Sequence, residues 1–178
     1  MIVLVGLPGS GKSTVGKQLA KRLQLSFVDS DQEIENRLGC SIREYFEREG
    51  ESAFRDVEQQ VMAELLAGSL AVLSTGGGVV LREANRAQLK HSGKVFYLRA
   101  TPEDLIRRLK NDRTRPLLQV ADPLAKLREL YDQRDPLYRE VAHYVVETGR
   151  PTVANLVNIV VMQLELQPEE PAPRSAST

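Results

Sequence analysis

The sequence predicts an α/β fold: a parallel sheet covered by helices on both faces. Three observations carry that reading. Short apolar runs alternate along the chain with helix-patterned stretches of about ten residues or more. The first run, "IVLV" at Ile2–Val5, is apolar throughout, as a strand buried on both faces must be. Glycines and acids follow several of the runs at their carboxyl ends, which is where sheets of this kind bind ligands.

The elements follow in order. After the glycine-rich segment from Gly6, "KSTVGKQLAKRL" has helical spacing, with Val15, Leu19, Ala20 and Leu23 on one side. "SFVD" (Ser26–Asp29) is a second strand. "DQEIENRLG", "SIREYFEREG" and "SAFRDVEQQVMAELLAG" read as three helices, with Ser41, Glu44 and Ser52 available as caps. "LAVLSTGGG" is a third strand that ends in three glycines, and "LREANRAQLKHSG" is a helix closed by Gly93. "KVFYLRA" is a fourth strand. "TPEDLIRRLKND" is a helix opened by Thr101, with Pro102 at its first position and acids in its first turn. "RTRPLLQVADP" has no periodicity and reads as a long loop. "DPLAKLRELYDQRDPLYREVA" is helical with a break expected at Pro136, "HYVVET" is a fifth strand, and "TVANLVNIVVMQL" is a final helix. Residues 1–166 thus read as one domain, and the polar, proline-rich residues 167–178 as a disordered tail.

Composition excludes some functions. Lys plus Arg and Asp plus Glu are 24 each, so no basic excess exists to displace counterions from a nucleic acid. Aromatic residues are 5%, without Trp, which disfavours a base-stacking surface. One cysteine, Cys40, rules out an intrachain disulfide and fits a reducing, cytoplasmic setting. The apolar run at the start of the chain is too short for a membrane span or a signal-peptide core. A monomer is expected, because every apolar face has a place in the sheet–helix sandwich.

The segment "GLPGSGKST" carries the chemistry. Gly6, Gly11, Lys12 and Ser13 satisfy the spacing G-x-x-x-x-G-K-[ST] between an apolar strand and an amphipathic helix, the signature of a P-loop. Its glycines let backbone N–H groups wrap an anion, and the helix adds its positive dipole end. Gly9, Ser10, Gly11, Lys12, Ser13 and Thr14 are therefore the expected nucleotide-phosphate site, with the Ser13 hydroxyl placed for Mg²⁺. The third strand ends in Gly76, Gly77 and Gly78 rather than in an acid; the acids are Asp29 and Asp31, after the second strand. Spacing of two in an extended segment places both on one side. One can order the water shell of Mg²⁺ while the other accepts or orients the proton of an acceptor hydroxyl. For Asp31, the rival reading is an N-cap of the helix that follows. Arg55, Arg115 and Arg134 are candidates for paired hydrogen bonds to carboxylate or phosphate. Arg115 has the stronger case, since a long loop inside a compact domain is usually functional and can act as a lid.

Taken together, "GLPGSGKST", "FVDSDQEIE", "IREYFEREGESAFRDVE", "VLSTGGGVVLR", "RTRPLL" and "RDPLYREVA" resemble the shikimate kinases, in family order over residues 1 to about 160. The resemblance implies the nucleoside-monophosphate-kinase-like fold of the P-loop NTPases, with five parallel strands in the order 2-3-1-4-5. It also implies a substrate-binding segment at about 31–60 and a lid at about 111–123. The activity it implies is ATP-dependent phosphorylation of the shikimate 3-hydroxyl, a step towards chorismate and the aromatic amino acids. By the same resemblance, Asp31 binds the acceptor hydroxyls and acts as the catalytic carboxylate, with Lys12 and Arg115 also catalytic. Arg55 and Arg134 clamp the shikimate carboxylate beside Gly76–Gly78. Asp29 supports Mg²⁺ through water, with Ser13 as direct ligand. Arg108 stacks on adenine, and Arg150 with Pro151 forms the adenine-side loop. Rival readings are a gluconate or nucleoside-monophosphate kinase, which the "RPLL" and "TGGG" segments disfavour, and a nucleotide-responsive protein without catalysis.

Overall fold

A computed structural model describes residues 1–110 and 120–166. Five strands form one parallel sheet: β1 (Ile2–Val5), β2 (Ser26–Asp29), β3 (Ala71–Ser74), β4 (Lys94–Arg99) and β5 (Tyr144–Glu147). Their order is β2-β3-β1-β4-β5, as the resemblance implied. Strand β1 lies at the centre, with Ile2 opposite Val72 of β3 on one side and Lys94 of β4 on the other.

Period-two alternation divides the side chains between two cores. Val3, Val5, Leu73, Val95 and Tyr97 face one, with Leu105, Leu127 and Tyr138 from helices α5 (Pro102–Leu109) and α6 (Pro123–Val141). Ile2, Leu4, Val72, Phe96 and Leu98 face the other, with Val15, Leu19, Leu156 and Val160 from α1 (Lys12–Leu23) and α7 (Val153–Glu165). Both faces are covered, which is why β1 is apolar and buried at all four positions.

Helix starts follow local chemistry. Thr101 and Asp104 form a capping box that opens α5, and Ser41 with Glu44 does the same for α3 (Ile42–Leu66). The two helices expected within residues 41–68 are joined end to end: Gly50 breaks the helical path at φ 86°, ψ 172°, and Ser52 lies inside the element rather than capping a separate helix. Three further expectations are corrected. Helix α6 runs through Pro136 unbroken. A 3₁₀ turn at Val79–Leu81 precedes α4 (Glu83–His91), because the Asn85 side chain and the Arg86 guanidinium bind the carbonyls of Val79 and Val80. Gly93 does not close α4, whose C-cap is Ser92; a Cβ at Gly93 would lie 2.1 Å from the Met1 carbonyl oxygen, so it is close approach to the first strand that requires glycine there. Among the described residues, no helix is long and apolar enough to cross a membrane.

Candidate active site

The carboxyl ends of β1, β2 and β3 open onto a cavity of about 350 Å³. Pro8, Gly9, Gly11, Lys12, Ser13 and Thr14 line one wall, and Asp29, Asp31, Ser74, Gly76 and Gly77 the other. Gly11 holds the N-terminus of α1 at φ 96°, a conformation that side-chain-bearing residues avoid, and so turns the amides of the first turn towards the loop. The Lys12 ammonium donates to the carbonyls of Gly6 (2.8 Å) and Leu7 (2.9 Å), which keeps it folded over the loop. Ser13 Oγ donates to Asp29 Oδ2 at 3.1 Å.

The second wall departs from the sequence reading. Asp29, not Asp31, is the N-cap of helix α2 (Ser30–Leu38): its Oδ1 accepts from the N–H groups of Asp31 (3.0 Å) and Gln32 (3.4 Å). The two acids therefore do not share one extended segment. Asp29 ends β2 and Asp31 sits in the first turn of α2, and both still reach the cavity because the cap bends the chain back across the strand ends. Capping by Asp29 leaves the Asp31 carboxylate free of a structural duty. Burial pushes Asp31 up to about 6, with Asp29 and Glu58 adding repulsion and Lys12 pulling the other way.

Three consecutive glycines meet three predicted site residues. A Cβ at Gly76 would lie 2.6 Å from Asp31 Oδ1. One at Gly77 would lie 2.7 Å from Pro8 Cδ and 3.3 Å from Arg134 Nη1, and one at Gly78 would lie 2.5 Å from both terminal nitrogens of Arg55. A side chain on any of the three would occupy the space that lets an aspartate and two guanidiniums gather beside the phosphate loop.

Glu58 ends the "FRDVE" segment that carries part of the resemblance but has no assigned role in the sequence reading, although its spacing of three from Arg55 in a helical segment puts the two on one face. Glu58 is 2% exposed and accepts from Arg55 Nη1 at 2.8 Å, so it fixes that guanidinium from below. Burial raises the Glu58 carboxyl above its usual range, against the pull of Arg55 and Arg134. Tyr138 was also missed: it is fully buried, and its hydroxyl donates to the Gly77 carbonyl.

A second cleft of about 320 Å³ adjoins the phosphate loop and is lined by Gly9, Ser10, Gly11, Thr14, Arg108, Thr148, Pro151 and Val153, among others. Arg108 donates to the carbonyls of Ser10 (3.3 Å) and Thr148, which holds its guanidinium across the cleft. Pro151 is part of this lining. Arg150 is exposed and is not part of that lining. Arg115, most of the expected lid and the tail from residue 167 lie outside the described residues.

Comparison with known proteins follows the same lines. A family model described as "Shikimate kinase" matches residues 8–165. The chain is 57% identical over 168 residues to a shikimate kinase of Paracidovorax citrulli, covering 93% of this chain and 92% of that one. A solved shikimate kinase from Acinetobacter baumannii in complex with shikimate superposes with a TM-score of 0.86 at 45% identity, covering 93% and 94% of the two chains. A gluconokinase from Sinorhizobium meliloti shares the fold alone, with a TM-score of 0.61 at 20% identity over 92% of this chain and 90% of that one.

Proposed function

The chain belongs to the shikimate kinase family, and on that premise we propose how its own residues divide the work of phosphorylating shikimate with ATP. The reaction moves the γ-phosphoryl group of ATP to the 3-hydroxyl of shikimate and yields shikimate 3-phosphate and ADP, on the way to chorismate and the aromatic amino acids. The observation that carries the assignment of roles is the packing of Asp31, Arg134 and Arg55 against Gly76, Gly77 and Gly78 at the edge of the phosphate-loop cavity.

Shikimate is a polyol ring with one carboxylate. Arg55 and Arg134 hold that carboxylate, each through a planar guanidinium suited to paired hydrogen bonds. With the ring so anchored, the target hydroxyl lies at Asp31. A carboxylate that titrates near 6 is ionised at neutral pH and basic enough to accept the hydroxyl proton as the new P–O bond forms. Lys12 exchanges its contacts with the Gly6 and Leu7 carbonyls for phosphate oxygens and offsets the charge on the transferring group, assisted by the loop amides and by Arg115. Arg108 and Pro151 hold the adenine in the second cleft, and the exposed Arg150 precedes Pro151 in the adenine-side loop outside the lining.

Ser13 Oγ and the Asp29 carboxylate, 3.1 Å apart on the cavity wall, form a hard-oxygen pair suited to Mg²⁺, which takes few protein ligands and keeps several waters. Ser13 would be the direct ligand and Asp29 would act through water, and an Mg²⁺ ion held there would supply charge neutralisation for the nucleotide phosphates. The enzyme is taken to work as a cytoplasmic monomer, a setting that its single cysteine fits.

A coupled ADP-release assay with and without shikimate tests this reading. ADP release that requires shikimate is expected. Shikimate-independent hydrolysis, or preference for gluconate or a nucleoside monophosphate, would overturn it.

A further inference from the structure

The two guanidiniums of the acceptor site are supported differently. Arg55 is 12% exposed and is held by carboxylates: Glu58 Oε1 at 2.8 Å and Glu51 Oε1 at 3.6 Å. Arg134 has no carboxylate within ion-pairing distance among the described residues, although the buried Nε atoms of both arginines lack a hydrogen-bond partner among them. What stands beside Arg134 is Tyr138, one helical turn on and so on the same face of α6. Tyr138 is fully buried, its ring packs against that of Tyr97 (centroids 4.9 Å apart), and its hydroxyl donates to the Gly77 carbonyl. Arg134 Nη1 in turn lies 3.3 Å from the position of a Cβ on Gly77.

We propose that Tyr138 is a positioning residue for shikimate binding: its hydroxyl ties the glycine turn to α6 and so fixes the wall beside which the Arg134 guanidinium meets the shikimate carboxylate. A long side chain without a fixed wall beside it samples several rotamers and must be ordered when substrate binds. The inference rests on the role of Arg134 stated above.

Tyr97 provides the control. Its hydroxyl donates to Asp135 Oδ1 at 2.8 Å, also on α6, so Tyr97→Phe removes a comparable buried hydrogen bond to the same helix without touching Arg134 or Gly77. The experiment measures KM for shikimate and for ATP, together with Tm, in Tyr138→Phe, Tyr97→Phe, Arg134→Ala and Tyr138→Phe/Arg134→Ala. For Tyr138→Phe, a rise of about tenfold in shikimate KM is expected, with ATP KM within about twofold of the parent. Tyr97→Phe should lose similar thermal stability but keep its shikimate KM. In the Arg134→Ala background Tyr138→Phe should add no further rise, because residues that act through one contact are not additive. Equal effects of the two Tyr→Phe changes, or a full additional rise in the Arg134→Ala background, would overturn the positioning role. A parental shikimate KM in Arg134→Ala itself would instead overturn the assignment of Arg134.

Discussion

Replacing Gly78 by alanine separates the geometry of the acceptor site from the stability of the fold. Gly78 sits at φ −93°, ψ 5°, on the negative-φ side that alanine also visits in turns. The new Cβ, however, would lie 2.5 Å from both terminal nitrogens of Arg55, where ordinary contact begins at 3.4 Å, so the guanidinium must retreat by about 0.9 Å. The tip of an arginine can move at little cost to the fold, but it cannot do so while keeping its 2.8 Å bond to Glu58 and its line to a bound carboxylate. A hydrogen bond to a charged group contributes about 1.5–3 kcal/mol, and a shift of about 1 Å in a positioning group can cost on the order of 100-fold in rate. Shikimate KM should therefore rise roughly 10- to 100-fold, with ATP KM near the parental value and Tm changed by only a few degrees. Gly77→Ala is the contrast: its Cβ would meet Pro8 Cδ at 2.7 Å, so it should also weaken ATP binding. The coupled assay, with each substrate varied in turn, measures both constants. A folded Gly78→Ala protein with parental shikimate KM, or with equal rises for both substrates, would refute the placement of Arg55.

Three further outcomes are expected. Asp31→Asn should abolish most turnover and leave ATP binding nearly intact, as read by kcat and nucleotide titration. It should also be more heat-stable: the folded-state pKa is raised from 3.8 to about 6, so stability falls as pH climbs through that window, and above it a penalty of up to about 3 kcal/mol is present that asparagine avoids. A lower Tm for Asp31→Asn at pH 8 would contradict that sign. In the parent, kcat/KM for shikimate should fall about tenfold per pH unit below about pH 6, and a flat profile down to pH 5 would remove Asp31 as proton acceptor. Asp29→Ala should raise the Mg²⁺ concentration needed for half-maximal rate and cost about 1 kcal/mol of stability through loss of the α2 cap; unchanged Mg²⁺ dependence would exclude Asp29 from the metal site.

Much of this molecule was legible in its sequence because the signals are local. Strand runs, capping residues, the Gly11–Lys12–Ser13 spacing and the alternation that builds two cores depend on neighbours a few residues away, and the five strands and their helices fall where those patterns put them. Tertiary structure decided what distant segments do to one another. Whether Asp29 or Asp31 capped α2 depended on the bend of the chain after β2, and the answer set which carboxylate was left for chemistry. The glycines at 76–78 could be read as a turn, but not that each makes room for a residue from another part of the chain: Asp31, Arg134 and Arg55. Glu58 and Tyr138 lie in segments that carry the resemblance, but sequence alone assigns them no role, because a buried carboxylate and a buried phenol gain theirs only from partners that folding brings to them. Sequence spacing can place residues on one face of a helix; it takes the packed sheet to make faces from α2, α3 and α6 meet at one cavity.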